Sequence, residues 1–221
     1  MRSVALIGPD GAGKSSIARE VVRRLGSPAR YLYMGVNLEQ SGLMLPTTRL
    51  ALAVKRARGR GTQMTANWSG HQDVTGRARL IREAYAAVRL LGWLAEEWYR
   101  ALIARFYQWR GYLVVFDRHF LFDYYANHVQ RRPGQLMAAR LHGALLRRFY
   151  PRPDMVILLD APAEVLHARK REQSVETLEE RRREYLSLAS LVPEFQIVDA
   201  TRPMEAVASE ITEMVRARAA A

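Results

Sequence analysis

Residues 8–16 read GPDGAGKSS, which places glycine, lysine and hydroxyl side chains at the spacing G-x-x-x-x-G-K-[ST]. Gly8, Gly11 and Gly13 allow a turn whose main-chain N–H groups point inward, and a helix that starts immediately afterwards adds the positive end of its dipole. Such a loop cradles the phosphates of a nucleoside triphosphate. Pro9 apart, every residue from Gly8 through Asp10, Gly11, Ala12, Gly13, Lys14, Ser15 and Ser16 is a candidate contact, Lys14 reaching the β- and γ-phosphates and Ser15 holding magnesium. The flanks supply the context the loop needs. The apolar run Val4, Ala5, Leu6, Ile7 reads as a buried strand before it, and Ile17, Val21, Val22 and Leu25 recur at helical spacing after it.

Two further segments carry chemistry. Val114, Val115 and Phe116 run into Asp117-Arg118-His119, so a carboxylate and a guanidinium stand at the end of an apolar strand. In an open parallel sheet that edge faces the ligand, where Asp117 would hold magnesium and Arg118 would grip an anionic acceptor. The stretch 153–185 holds another apolar strand ending in Asp160, then a helix and an arginine-rich turn with Arg169, Arg171, Arg181, Arg182 and Arg183. Mobile arginines stabilise charge spread over a transferring phosphoryl group. One or two of Arg169, Arg171 and Arg181 are expected to touch phosphate, with Arg182 and Arg183 left to solvent.

The elements that must position these residues follow from apolar periodicity. Strands are expected at about 3–8, 30–34, 112–117, 154–160 and 195–199, separated by helical segments, which is the pattern of βαβ units. Helices are expected over 14–25, stopped by Gly26, over about 45–58, and over about 75–109 with a bend or break near Gly92. The long helix carries Trp93, Trp98, Tyr99, Phe106 and Trp109 at spacings that read as a core-facing stripe. Tyr31, Tyr33 and Met34 sit where the second strand meets the ligand edge, and 65–74 reads as a polar loop.

Composition narrows the classes. The 221 residues suit one α/β domain with a lid. The absence of cysteine removes disulfides and thiolate metal sites, the five histidines show no zinc spacing, and no apolar run is long enough to span a membrane or serve as a leader. A cytoplasmic protein is the expectation. The net charge of +12 invites a nucleic-acid reading, but only Lys14, Lys55 and Lys170 are lysine, and many arginines sit at helical spacing where their stems cover surface. The one dense basic cluster, 55–60, reads as a solvated helix end. A nucleic-acid partner is therefore not expected, and a homodimer through the long aromatic helix stays open.

Together these residues resemble the thymidylate kinase family of phosphate-loop kinases. The likeness rests on GPDGAGKSS within the first 25 residues, on YLVVFDRH at 112–119, and on 153–211 with PDMVILLDAPAEV, the arginine-rich turn and IVDATRP in the family's order. The resemblance implies a P-loop α/β fold with a five-stranded parallel sheet in the order 2-3-1-4-5, an acceptor-side helical region at about 35–110 and a lid at about 169–183. It implies ATP and magnesium, and transfer of the γ-phosphoryl to a nucleoside monophosphate. It also implies roles: Lys14 at the γ-phosphate, Ser15 and Asp117 at the metal, Arg118 at the acceptor phosphate, and Asp10 as the acidic residue of the loop. Further along, Arg169 would pack on adenine beside Arg202 and Pro203, and the catalytic arginine would come from the lid, with Arg171 a candidate.

The departures fall on the acceptor pocket. Where the family carries x-x-Ser-x-x-Ala-Tyr-Gln after its Asp-Arg-His motif, this chain has Phe122, Tyr125, Ala126 and Asn127, and 33–40 lacks the family's Arg-Glu-Pro loop. Buried polar contacts of that kind set specificity, so the likeness stops short of a thymidine monophosphate acceptor. Two alternatives stay open. In one the acceptor is a hydroxyl of a nucleoside, sugar or antibiotic, with Glu39 or Asp123 as general base; in the other the chain is a nucleotide-dependent, polyanion-binding ATPase.

Overall fold

Five short strands pair side by side into one parallel sheet: β1 (Ser3–Ile7), β2 (Ala29–Tyr33), β3 (Leu113–Asp117), β4 (Met155–Asp160) and β5 (Phe195–Asp199), buried through β1, β3 and β4 and partly exposed at the edge strands β2 and β5. Their order across the sheet is β2-β3-β1-β4-β5, as the resemblance implied. The computed structural model describes residues 1–35, 42–57, 77–124, 137–192 and 194–220. Glu39, Tyr125, Ala126, Asn127, the stretch 65–74 and Arg58 and Arg60 of the basic cluster lie outside the described residues.

Helices cover both faces: α1 (Lys14–Leu25), α2 (Pro46–Ala57), α3 (Arg77–Trp109), α4 (Phe120–Asp123), α5 (Met137–Phe149), α6 (Ala163–Arg169), α7 (Val175–Leu186) and α8 (Met204–Ala220). Since β1 is central, its alternate side chains feed two separate cores. Val4 and Leu6 pack with α1, α6 and α8, whereas Ala5 and Ile7 pack with α3, α4 and the end of α7. Every strand of a parallel sheet ends on the same side, so Ile7, Tyr33, Asp117, Asp160 and Asp199 share one edge.

Two expectations need correction. First, α3 runs unbroken through Gly92. A glycine in a helix interior costs about 1 kcal/mol relative to alanine, and the burial of Ala86, Leu90 and Trp93 around it and of Ala101 and Ala104 beyond it outweighs that. Second, the aromatic series is not one core stripe: Trp93 is buried, but Phe106 is 51% and Trp109 77% exposed, with Trp98 also at the surface. The steps between these aromatics, 5, 1, 7 and 3 residues, wander around a helix of 3.6 residues per turn and do not all reach one face.

Candidate active site

The phosphate loop leaves β1 and packs tightly against β4 and α6. A Cβ on Gly11, whose φ is +90°, would stand 2.6 Å from the carbonyl oxygen of Leu166, so only glycine fits there. The loop ends at Gly13, which caps α1 without any side-chain hydrogen bond, so side chains leave the first N–H groups of the helix for a ligand. Lys14 is buried and donates from Nζ to the Pro9 carbonyl at 2.6 Å, folding back across the loop. Burial pulls its ammonium down to about 7, with Arg118 acting in the same direction and Asp10 opposing. A polyanion arriving beside Lys14 would restore its charge. Ser15 lies half-buried on the first turn of α1, and Ser16 is exposed behind it.

Because β3 lies beside β1, the Asp117-Arg118 pair comes up against this loop. Arg118 donates its backbone N–H to Leu6 O at 3.0 Å and adopts φ +67°, a left-handed backbone that costs a non-glycine residue about 1–2 kcal/mol. That turn aims its guanidinium at Asp10, and the two form a close ion pair. Burial works against the charge of Arg118, but Asp123 and Asp10 outweigh it and raise its pKa. Asp10 is held below the usual carboxylate range: burial pushes it up, and Arg118 and Lys14 together overcome that. Gln173 donates from Nε2 to its other oxygen at 3.1 Å.

Asp117 is fully buried. Tyr31 donates its hydroxyl to Oδ2 at 2.7 Å from the neighbouring strand, and Oδ1 has no hydrogen-bond partner. An orphaned buried carboxylate oxygen at the strand edge is the donor a magnesium ion would use, with Ser15 and nucleotide phosphates completing the shell. Among the described residues no cluster of three or more His, Cys, Asp or Glu could hold a metal without such help. The site therefore fits a magnesium nucleotide better than a free metal ion.

Beside the loop, an open cleft is lined by Gly8, Pro9, Asp10, Arg118, Asp123, Gln173, Arg181 and Tyr185. Asp123 comes from α4, a single turn that begins just after His119. Tyr185 donates to its Oδ1 at 3.0 Å, while the buried Oδ2 has no hydrogen-bond partner. Burial raises the Asp123 carboxyl, and Arg118 and Lys14 offset that only in part.

The arginine-rich segment divides its labour. Arg181 lines the cleft and also meets Glu184 at 3.2 Å. Arg169 turns to the other side, donating to Ala200 O at 2.7 Å and Thr201 O at 3.3 Å, and thereby joins the end of α6 to the loop carrying Arg202 and Pro203. Arg171 is exposed. Arg202 is occupied by a close pair with Glu210, and Pro203 is exposed. The expectation that Arg182 is left to solvent fails: it grips both oxygens of Asp160, at 2.7 and 2.9 Å, and ties α7 to the end of β4. Arg183 is exposed, as expected.

A second layer braces Arg118. Arg100 of α3, fully buried, donates to Gly35 O at 3.0 Å and stacks its guanidinium 4.6 Å from the Phe120 ring centroid. Gly35 lies so close to the stem of Arg118 and the ring of Tyr33 that a Cβ there would overlap both. The buried Glu97 nearby on α3 faces His142 at 3.0 Å. Sequence reasoning missed Gln173 and Arg100. Only their positions in space mark them.

Comparison with known proteins adds to this geometry. Residues 97–211 match the thymidylate kinase family. A probable thymidylate kinase of Thermococcus gammatolerans is 38% identical over 78 residues, which are 32% of this chain and 38% of that protein, so the match spans well under half the relative's length. A solved structure of deoxyadenosine kinase from M. mycoides, with products dCMP and a flexible dCDP bound, has the same fold with a TM-score of 0.53 at 16% identity, over 97% of this chain and 99% of that one.

Proposed function

Since the chain belongs to the thymidylate kinase family, we propose that it is an ATP- and magnesium-dependent phosphotransferase of the nucleoside monophosphate kinase type. The observation that carries this reading is the meeting of the two halves of the site: the phosphate loop, through Asp10, is in contact with Arg118 from the β3 edge. A donor phosphate held on the loop and an anionic acceptor held by Arg118 would then stand side by side, and positioning of that kind dominates phosphoryl transfer.

In this reading the loop N–H groups from Gly8 to Ser16 hold the triphosphate, and Lys14 swings from Pro9 O to the β- and γ-phosphates. Ser15 and the free Oδ1 of Asp117 would hold magnesium, which when bound neutralises the phosphate oxygens. Arg118 exchanges Asp10 for the acceptor phosphate. Arg181 supplies charge over the transferring group from the lid, and Arg171 joins it only if the lid closes. Arg169, fixed by Ala200 O and Thr201 O, offers a guanidinium plane for the adenine beside Arg202 and Pro203. The chain works as one phosphate-loop unit, with 35–110 on the acceptor side and 169–183 as its lid.

One observation favours a second reading. The unpartnered, buried Oδ2 of Asp123 faces the same cleft and could take a proton from a hydroxyl acceptor; the other candidate base, Glu39, lies outside the described residues. The test is to incubate the pure protein with ATP and magnesium against nucleoside monophosphates, nucleosides, sugars and nucleic acids, and to detect the phosphorylated product by mass. Product from a monophosphate supports the first reading and product from a nucleoside or sugar the second. ATP hydrolysis stimulated only by nucleic acid would favour a polyanion-dependent ATPase, and no product despite ATP binding would overturn both kinase readings. Lys14→Ala is expected to abolish any product seen.

A further inference from the structure

Asp117 is served from the neighbouring strand by a side chain that touches no phosphate in the reading above. Tyr31 of β2 stands level with Val115 of β3, and Asp117 follows Val115 by two residues. Side chains two apart leave the same face of a strand, so Tyr31, Val115 and Asp117 share the face that α1 covers. Arg19 of α1 flanks the Tyr31 ring there, its guanidinium carbon 5.4 Å from the ring centroid. The hydroxyl crosses the strand pair diagonally and donates to Asp117 Oδ2 at 2.7 Å. Phenylalanine would serve the packing equally well. A hydroxyl bonded to a carboxylate does something more, because such a bond is stronger than one between neutral groups and fixes the plane of the acceptor.

With Oδ2 held, the buried carboxylate has one oxygen left to give, the unpartnered Oδ1. Calcium gathers more oxygens at longer range and readily takes both oxygens of a carboxylate. Magnesium takes fewer, at short range and in near-octahedral geometry, and keeps water on the rest. A carboxylate restricted to one oxygen therefore suits magnesium and leaves calcium short of ligands. The other described carboxylates of the sheet edge do not make up the difference. Asp10 has both oxygens engaged, by Arg118 and Gln173, Asp160 has both gripped by Arg182, and Asp123 has one taken by Tyr185. We propose that Tyr31 is a positioning residue that makes Asp117 a one-oxygen ligand and so selects magnesium over calcium for the bound nucleotide. The proposal rests on the reading in which Asp117 faces the metal.

Isothermal titration calorimetry of the full chain with a non-hydrolysable ATP analogue tests it, in magnesium, in calcium and in EDTA. The native protein is expected to bind the analogue more tightly with magnesium than with calcium. Tyr31→Phe keeps the ring and loses the donor, so it should shrink that ratio of affinities roughly 10-fold or more while leaving the affinity in EDTA unchanged. A fall in all three affinities with the ratio preserved would give Tyr31 a structural role only and overturn the proposal, as would a native protein without preference. Asp117→Asn separates the proposal from the reading beneath it, because it should remove most of the affinity that magnesium adds over EDTA. If that gain survives, Asp117 does not face the metal and both fall. If the gain is lost and Tyr31→Phe keeps the native ratio, the proposal alone falls.

Discussion

Asp123 and Gly35 make the residue-scale consequences concrete. Burial holds the folded Asp123 pKa above its unfolded value, so the folded protein retains a proton that the unfolded chain gives up. This group therefore supports the fold at low pH and loses that support as pH rises through its folded pKa. Asp123→Asn removes the titration. Its stability relative to the native chain should grow from pH 4 to pH 8, measured by urea unfolding, and a difference that stays flat or shrinks would contradict the burial argument. At Gly35 an added Cβ must displace the Arg118 stem. Gly35→Ala should raise the acceptor KM by roughly 10-fold or more while leaving the ATP KM nearly unchanged. Equal effects on both substrates would mean that Gly35 serves the fold and not Arg118. The site residues legible from sequence were those whose chemistry is local: a glycine loop with Lys14, and Asp117-Arg118 at a strand end. Gln173, Tyr31 and Arg100 were not legible as partners, because a side chain's contact across 65 or more residues leaves no mark in its own neighbourhood.

At the scale of elements, α7 is held to the sheet by Arg182 on Asp160 and by Tyr185 on Asp123. The first is a two-point contact between partly exposed groups, worth about 1 kcal/mol after solvent screening. Arg182→Ala should lower the melting temperature by roughly 2–4 °C, the shift expected for that loss in a domain of this size. The same change frees the helix that carries Arg181, so kcat should fall more than the ATP KM rises. No change in either, by calorimetry and by steady-state kinetics, would mean that the contact does not position the lid. Element boundaries were well anticipated where apolar strands alternate with capped helices: α1 and β5 begin and end where periodicity puts them. The continuity of α3 through Gly92 was not anticipated. A glycine signals a break on propensity alone, and only packing against α5 and β3 outweighs it.

The whole molecule brings two distant segments to one edge, and ligand binding should report that coupling. A non-hydrolysable ATP analogue with magnesium at roughly 100 times its dissociation constant should stabilise the native chain by about 2.7 kcal/mol, a rise in melting temperature of roughly 5–10 °C. Lys14→Ala should remove most of that rise without changing the melting temperature of the free protein by a comparable amount. A thermal shift that survives Lys14→Ala would place the nucleotide elsewhere. No described helix is long and apolar enough to cross a membrane.

Sequence alone carried what is written in consecutive residues: the glycine loop ahead of a helix, the aspartate and arginine at the strand end, and an alternation of strands and helices that closes into a parallel sheet. Those features depend on backbone sterics and on periods of two and 3.6, which are properties of short windows. Folding in three dimensions decided the rest. It set β3 beside β1, so that Arg118 meets Asp10 more than a hundred residues away, and it turned Arg182 inward to Asp160. The physical reason is that pairing and burial depend on which surfaces meet, and that is a property of the packed chain and not of any one stretch of it.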